Sequence, residues 1–265
     1  MGLYNNRIVV KIGTSTLTND AGKSDLRTTD RLACVLSDIQ NMGYEVVLVS
    51  SGAIAVGRNK LNMTAKPDSM RMKQAAAAVG QCSLMYLYDK FFGDYDKTVA
   101  QILLNADDIE EEEKKENLIN TFNALLEMGV IPIVNENDSV SYKEIESEDR
   151  LFGDNDMLSA VVAVLCRAKH LVIFSDIDGF YDHDPRLYPN AQLIDQIDTI
   201  DDSVYALAGG AGSRRGTGGM RTKLQAASLA TSQGTNTIVT NGKRPEVLYD
   251  IVKGGRAGTL FPGKI

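Results

Sequence analysis

The chain has 265 residues, of which 43% are hydrophobic and 24% are charged, and its formal net charge is −7. This composition is typical of a globular protein with room for one large α/β domain or two small ones. The net negative charge argues against nucleic acid as the main partner. The sequence has no run of about 18 consecutive apolar residues, so no membrane span is expected.

The cysteines and histidines indicate the cellular compartment and the kinds of site that the chain can form. Cys34, Cys82 and Cys166 form no CxxC motif and cannot all pair, so we predict reduced core thiols in a cytoplasmic protein. The N-terminus runs almost directly into a strand and leaves no room for a signal peptide. The two histidines, His170 and His183, are too few to favour a zinc site or a Ser-His-Asp mechanism. We predict that His170 is structural and that His183 is solvated.

Apolar runs and amphipathic segments alternate through the first half of the chain. Uninterrupted apolar runs indicate buried strands, and a period near 3.6 residues indicates helices. We predict strands at 7–12, 45–49 and 97–104, and helices at 28–42, from Ala53 onward and at 67–92. The charged segment 107–116 is predicted to be the solvated start of a further helix. The small-residue run 73–81 should allow close helix packing. The last helix has a predicted apolar face of Leu118, Phe122, Leu125 and Met128, with Gly129 as its cap.

The second half continues the alternation. We predict strands from 131, at 169–174, 236–240 and 259–261, and helices at 157–166, 220–233 and 245–253. The acidic connection 142–150 is expected to be mobile. Repeated strand–helix alternation without a linker predicts one α/β domain with a mostly parallel sheet and helices on both faces.

Two strand ends carry residues suited to a ligand. Lys11 is a charge at the end of a buried strand, and an unpaired buried lysine is costly, so it needs an anionic partner. Gly13 follows it with hydroxyl residues, whose backbone N–H groups can bind an anion, although a plain turn is the alternative. Ser50, Ser51 and Gly52 form a similar strand end, which is a weak signal alone.

Two clusters of amide and carboxylate side chains lie in the stretch 131–156. One, from Asn135 to Asp138, follows a short strand, and the other, from Asp154 to Asp156, opens an apolar helix. Open parallel sheets bind ligands at the edge where strands end and helices begin. A turn and a helix N-cap explain any single residue, but not all seven together. We therefore predict a site for a small polar ligand with an ammonium group.

A glycine-rich segment, 209–219, leads into the predicted helix at 220. Flexible backbone, a helix N-terminus and basic residues suit a phosphate chain. The basic residues are Arg214, Arg215, Arg221 and Lys223. The spacing is not that of a Walker A loop, and a flexible linker is the alternative.

Lysines at two strand–helix junctions, a glycine-rich backbone and an acidic pocket together suggest phosphoryl transfer, in which positioning and charge stabilisation dominate. If the acceptor of the phosphoryl group is a carboxylate, it is already ionised near neutral pH and needs no general base. This fits a chain in which histidine, the commonest general base, occurs only twice.

Several motifs occur in one order along nearly the whole chain. They are Val10-Lys11-Ile-Gly13-Thr-Ser, Ser50-Ser-Gly-Ala53, Lys73-Gln-Ala with Val79-Gly-Gln81, Asn135-Glu-Asn-Asp138, Phe152-Gly-Asp-Asn-Asp156, Ser175-Asp176, Asp184-Pro-Arg186, and Gly216-Thr-Gly-Gly-Met220 with Thr222-Lys223. In this combination the chain resembles the glutamate 5-kinases of the amino acid kinase family.

The resemblance implies an α/β/α sandwich and transfer of the γ-phosphoryl group of ATP to the γ-carboxylate of L-glutamate, the first step of proline biosynthesis. It implies that Lys11 binds the transferring phosphoryl group, Lys223 stabilises charge on the ATP side, and Asp156 holds both lysines. The implied glutamate-binding residues are Ser51, Gly52, Asp138 and Asn155. The implied nucleotide-binding residues are Lys11, Gly13, Ser175, Asp176, Thr217, Gly218, Gly219, Met220, Arg221, Thr222 and Lys223.

The resemblance also implies Mg²⁺ carried mainly by ATP, without a metal site of the protein's own. It implies feedback inhibition by proline and a homo-oligomer, either a dimer or a tetramer. Within one domain, 1–265, the N-terminal part is expected to bind the acceptor, and the part from about residue 170 the nucleotide. Many family members continue into a C-terminal PUA domain that resembles RNA-modification modules, whereas this sequence is expected to be a catalytic domain alone.

Two alternatives remain open. One is another kinase of the same fold, acting on N-acetylglutamate or aspartate, although an acylated substrate lacks the α-ammonium that Asp138 would bind. The other is a non-catalytic amino-acid sensor. Retention of Lys11, Asp156 and Lys223 argues against a sensor, which has no transition state to stabilise.

Overall fold

The computed structural model describes residues 4–18, 23–140, 155–208 and 219–264. Several predictions lie outside the described residues: the connection 142–150, Asp154, Arg214, Arg215, Thr217 and Gly218. Within the described ranges, no helix is both long enough and apolar enough to cross a membrane.

Strands and helices alternate along the described chain. The strands are β1 (Tyr4–Lys11), β2 (Glu45–Val49), β3 (Val99–Leu104), β4 (Ile131–Glu136), β5 (Ala168–Ser175), β6 (Asn236–Asn241) and β7 (Thr259–Phe261). The helices are α1 (Thr14–Leu17), α2 (Leu26–Asn41), α3 (Ala53–Lys60), α4 (Met70–Gly93), α5 (Asp107–Glu110), α6 (Glu112–Glu127), α7 (Asn155–Leu165), α8 (Asp202–Ala208), α9 (Met220–Ser232) and α10 (Val247–Val252).

The chain divides into two compact units. Residues 12–152 form one unit, in which the strands lie in the order β3-β4-β2 and both pairs are parallel. Residues 1–11 and 153–265 form the other, in the order β1-β5-β6-β7. There β1, β5 and β6 are parallel, and β7 runs antiparallel to β6. The predicted α/β class with a mostly parallel sheet is confirmed.

The strands are short apolar runs because side chains on both of their faces are removed from water. Val9 and Val10 in β1, Ile133 in β4 and Val172 in β5 are fully buried. A parallel sheet places the carboxyl ends of its strands at one edge, so Lys11 at the end of β1 and Ser175 at the end of β5 lie on the same side of their unit.

Helix patterns were predicted well in the middle of helices and less well at their ends. The apolar period of α2 predicts a buried stripe of Leu32, Val35, Leu36, Ile39 and Met42; the first four are buried, whereas Met42, which follows the last residue of α2, is 49% exposed. Helix α2 begins at Leu26 rather than at 28, because Asp25 caps it and accepts a hydrogen bond from the backbone N–H of Thr28 at 3.0 Å.

The helix predictions misplaced the end of α6 and missed α8. Met128 is 72% exposed, because α6 ends at Glu127 and the chain leaves the helix there, and Leu126 is buried instead. Helix α8 was not predicted. It is a short helix of seven residues, none of which is buried.

Helices α3 and α4 cross closely at two glycines, as the small-residue run predicted. A Cβ atom added at Gly57 would overlap the carbonyl oxygen of Ala76, and one added at Gly80 would overlap that of Ala53. The two backbones are therefore in direct contact, and a side chain at either glycine would force the helices apart.

The cysteine prediction was wrong for one residue. Cys166 is buried and Cys34 half-buried, but Cys82 on α4 is exposed, so it is not a core thiol. The prediction that His183 is solvated is confirmed, and the structural role of His170 stays a prediction. His170 is half-buried on β5, where burial first and then the charge of Lys169 lower its pKa to about 4. The His183 side chain is exposed.

Candidate active site

A buried cluster of two lysines and one aspartate lies in the unit formed by residues 1–11 and 153–265. Lys11 Nζ lies 2.7 Å from Asp156 Oδ1, and Lys223 Nζ lies 3.0 Å from Asp156 Oδ2. The Asp156 side chain is fully buried and both lysine side chains are nearly so. Lys11 thus has the anionic partner that its position in a buried strand required.

Three different elements position this lysine–aspartate cluster. Lys11 is the last residue of β1, Asp156 lies in the first turn of α7, and Lys223 lies in the first turn of α9. Helix α7 packs against both β1 and α9. A carboxylate in the first turn of α7 is also stabilised by the helix dipole.

The Asp156 carboxylate is held in its ionised form. Burial alone would raise the pKa of Asp156, but the charges of Lys11 and Lys223 and their hydrogen bonds outweigh burial, so that the pKa lies below its ordinary value. Together the three groups carry one net positive charge. Such a charge, fixed in a site from which water is largely excluded, can stabilise a phosphoryl group more strongly than a solvated lysine can.

Thr222 ties the cluster to the start of α9. Its hydroxyl lies 3.0 Å from Asp156 Oδ2 and 2.8 Å from the carbonyl oxygen of Gly219. Gly219 precedes the first residue of α9, and its backbone is extended. The neighbouring candidates Met220 and Arg221 lie in the first turn of α9, where backbone N–H groups can bind an anion.

Ser175 and Asp176 lie at the carboxyl end of β5 in the same unit. The Ser175 hydroxyl is 3.3 Å from Asp176 Oδ1, and Asp176 forms an exposed ion pair with Arg186. Arg186 was quoted in a sequence motif but was not predicted as a site residue. The Asp-Pro-Arg turn at 184–186 was the signal that could have found it, because it directs an arginine towards a preceding strand end.

Ser51 and Gly52 lie between β2 and α3 in the unit formed by residues 12–152. Ser51 is buried, and Gly52 precedes α3 with a φ of 92°, a conformation that favours glycine. The adjacent Ser50 hydroxyl is 2.8 Å from the Tyr88 hydroxyl of α4. Gly13, predicted to bind the nucleotide, directly precedes α1 in this unit.

The polar end of β4 is also held by α4. Asn135 is buried in β4, and its Nδ2 donates to Gln81 Oε1 at 2.9 Å. Asp138 follows in a turn and is half-buried. Gln81 and Tyr88 were not predicted as supports for these residues, because their seven-residue separation on α4 gives no sign of what they contact. Asn155, the remaining candidate, is the first residue of α7 in the other unit.

A family model and individual proteins of that family both match most of the chain. Residues 6–241 match the model of the amino acid kinase family. The chain is 55% identical to the glutamate 5-kinase of Clostridium perfringens over 97% of this chain and 96% of that protein. It is 50% identical to the glutamate 5-kinase of Listeria innocua over 97% of this chain and 93% of that protein.

Solved structures share the fold at lower identity. The isopentenyl phosphate kinase of T. acidophilum, in a product complex, is 19% identical with a TM-score of 0.65, covering 96% of this chain and 99% of that chain. The carbamate kinase of Giardia lamblia, bound to AMP-PNP, is 16% identical with a TM-score of 0.66, covering 98% of each chain. At these identities the two structures show that the fold is shared.

Proposed function

Because this chain belongs to the amino acid kinase family, and within it to the glutamate 5-kinases, we propose that it phosphorylates the γ-carboxylate of L-glutamate with ATP. The product is γ-glutamyl phosphate, in the first step of proline biosynthesis. Relatives at 55% and 50% identity that align over nearly their whole length support this function.

The observation that carries the proposal is the buried lysine–aspartate cluster. Lys11 and Lys223 contact opposite oxygens of one carboxylate, so their ammonium groups are held at fixed positions before any ligand binds. In the proposed mechanism Lys11 binds the transferring phosphoryl group, Lys223 stabilises charge that develops on the ATP side, and Asp156 positions both. Charges fixed in advance need no reorganisation when the transition state forms.

The reaction needs no general base. An oxygen of the glutamate γ-carboxylate attacks the γ-phosphorus, the bond from that phosphorus to the bridging oxygen breaks, and ADP leaves with the electron pair. The nucleophile is already ionised near neutral pH. The role of the protein is therefore to align the reactants and to neutralise charge on the oxygens in transfer.

We propose that the nucleotide is bound by residues at or just after the ends of β1 and β5 and by the segment 217–223. They are Lys11, Gly13, Ser175, Asp176, Thr217, Gly218, Gly219, Met220, Arg221, Thr222 and Lys223. Mg²⁺ would be carried by the ATP phosphates and would neutralise their charge. In the described part of the chain, no group of three or more acidic, histidine or cysteine side chains could hold a metal ion.

For the acceptor we propose Ser51, Gly52, Asp138 and Asn155. An acidic side chain near glutamate suits its α-ammonium, and hydroxyl, backbone N–H and amide groups suit its carboxylates. Feedback inhibition by proline, which also carries an α-carboxylate and an ammonium, and a dimeric or tetrameric assembly are further parts of the proposal. The cytoplasm is the proposed location, since it supplies ATP.

The test is ATP- and magnesium-dependent formation of acyl phosphate, trapped with hydroxylamine, for glutamate, N-acetylglutamate and aspartate in parallel. We expect hydroxamate with glutamate alone. Product with another acceptor would keep the phosphoryl-transfer cluster and overturn the acceptor assignment. No product with any acceptor, from protein that binds ATP, would favour an amino-acid sensor.

A further inference from the structure

A pocket of about 570 Å³ lies on the outer side of α3 and α4, within the unit formed by residues 12–152. Its lining comes from the segment before α2 and from both helices: Lys23, Ser24, Val56, Asn59, Lys60, Cys82, Ser83, Tyr86 and Leu87. None of these residues has a role in the proposed reaction. Its volume falls within the range of pockets that bind small molecules, about 300–1,000 Å³.

The charge of this outer pocket is opposite to that of the chain. The whole chain carries a net charge of −7, yet the described lining has two lysines and no acidic residue. The exposed Lys60 side chain is directed towards α4, because its Nζ donates a hydrogen bond to the Ser83 hydroxyl at 3.0 Å. A cluster of positive charge in an acidic protein attracts small anions selectively.

The rest of the lining suits an apolar body. Val56 and Leu87 are aliphatic, and the ring of Tyr86 is 68% exposed although it borders a cavity. An exposed aromatic ring beside ammonium groups can stack on an apolar or aromatic molecule whose charged end pairs with the lysines. Ser24 and Asn59 add polar groups that can orient such a molecule.

Helix α4 connects this pocket to the proposed acceptor residues. Gln81 and Tyr88 hold Asn135 and Ser50 by hydrogen bonds of 2.9 and 2.8 Å. Cys82 and Ser83 follow Gln81 directly and line the pocket, as do Tyr86 and Leu87 just before Tyr88. A shift of α4 caused by a molecule in the pocket would therefore move the supports of both acceptor strand ends.

Helix α3 would move with α4. It begins immediately after Gly52, ends at Lys60 in the pocket, and contacts α4 backbone to backbone at Gly57 and Gly80. Tightly packed elements transmit displacement rather than absorbing it.

We propose that the outer pocket binds a small organic anion with an apolar or aromatic body, and that its occupancy alters glutamate binding. The binding claim stands by itself, whereas the effect on glutamate rests on the proposed function. The binding claim and the effect on glutamate can be tested separately, because the first experiment follows a chemical reaction at the pocket and needs no catalysis.

Cys82 provides a built-in reporter, because it is the exposed cysteine and lines the pocket. The anionic aromatic disulfide 5,5′-dithiobis(2-nitrobenzoate) and the neutral 4,4′-dithiodipyridine both react with a thiolate. The Cys82 sulfur forms a mixed disulfide with one half of the reagent, and the other half leaves as a thiolate. The ratio of the two rates measures the preference of the pocket for an anion.

We expect Lys60→Met and Lys23→Met each to lower the rate with the anionic reagent by about three- to tenfold and to leave the neutral reagent within about twofold. Lys90→Met is the matched control, since Lys90 lies on α4 outside the pocket lining, and it should keep the wild-type ratio. Cys82→Ser should abolish the reaction. Equal ratios in all three lysine variants would overturn the binding claim.

The second readout uses the protein labelled with the nitrobenzoate group on Cys82. We expect the KM for glutamate to change by at least about threefold and that for ATP by less than about twofold, because α4 supports the acceptor side. Protein carrying a methylthio group from methyl methanethiosulfonate, which is small and neutral, is the control and should keep both values.

Two further results would overturn the proposal. If Cys82 reacts with neither reagent in the native assembly and becomes reactive only on dissociation, a second copy of the chain covers the pocket. If labelling leaves the glutamate KM unchanged, the pocket has no influence on the acceptor. Hydroxamate formation by unlabelled protein is measured in parallel, so that failure of the kinase assignment is recognised independently.

Discussion

Replacing Asp156 by asparagine tests the central element of the proposed mechanism. The amide keeps the size of the side chain and one acceptor oxygen, but it removes the charge that pairs with Lys11 and Lys223. Both ammonium groups are nearly buried, at 2.7 and 3.0 Å from the carboxylate oxygens. The variant therefore leaves two buried positive charges without their shared counter-ion.

The size of the effect follows from distance and burial. At an effective dielectric constant near 20, unit charges about 3 Å apart attract by about 5–6 kcal/mol. Desolvation offsets part of this, and breaking a buried ion pair by removing one partner costs about 3–5 kcal/mol. We expect Asp156→Asn to lower the free energy of unfolding by about that amount and to reduce kcat by at least about 10²-fold, because the lysines lose their fixed positions.

Urea unfolding at neutral pH and initial rates of ADP formation at saturating substrates measure the two effects. Glu112→Gln is the matched control, since it breaks an exposed i,i+3 pair with Lys115 on α6 and should cost less than about 1 kcal/mol. A stability loss no larger than that of the control would show that the lysines do not depend on Asp156. Unchanged kcat in folded protein would remove the cluster from the mechanism.

Three further substitutions test other parts of the molecule. Lys223→Ala should lower kcat by about 10²–10³-fold with a smaller effect on the glutamate KM; an unchanged kcat would contradict its role in charge stabilisation. Asp138→Ala should raise the KM for glutamate by about 10–100-fold and the KM for ATP far less; equal effects would mean that the acceptor pocket is misplaced. His170 is neutral when folded, because burial and then Lys169 lower its pKa from 6.5 to about 4. As the pH is lowered, His170 is protonated in the unfolded chain before it is protonated in the folded protein. The free energy of unfolding should therefore fall by at most about 3 kcal/mol from pH 6.5 to pH 4. His170→Asn should flatten this pH dependence, which is measured by urea unfolding between pH 6.5 and 4. His183→Asn, at an exposed position, is the control and should leave the pH dependence unchanged. Parallel profiles for the two variants would refute the assignment of the pH dependence to His170.

Much of the fold follows from local sequence patterns. An apolar run predicted β2 with the bounds observed, an amphipathic period predicted α2, and the predicted bounds of α2, α4 and α9 lie within a few residues of those observed. Errors occurred where local pattern is weak. Met128 has the spacing of a buried residue but lies just beyond the end of α6, and α8 is only seven residues long with none of them buried. Helix ends depend on caps and on where the chain turns, which hydrophobic period does not encode.

The sequence also set the chemical requirement at Lys11. A lysine in an apolar strand must have an anion beside it, whichever residue supplies that anion. The pattern by itself offered 35 acidic residues, and only the family resemblance implied Asp156. The distances to both oxygens, the part of Thr222 and the pairing of Arg186 with Asp176 came from the structure.

Tertiary structure alone decided which distant residues meet. Asp156 reaches Lys223 across 67 residues because α7 packs against α9, and Asn135 reaches Gln81 across 54 because α4 faces the end of β4. Tertiary structure also decided the position of Cys82. It was predicted to be a core thiol, but it is exposed and lines a pocket together with Lys23 and Lys60. Side-chain type and period are properties of a few neighbouring residues, and they fix which residues need a partner. Which partner is available depends on how whole elements pack, and that is decided only when the entire chain has folded.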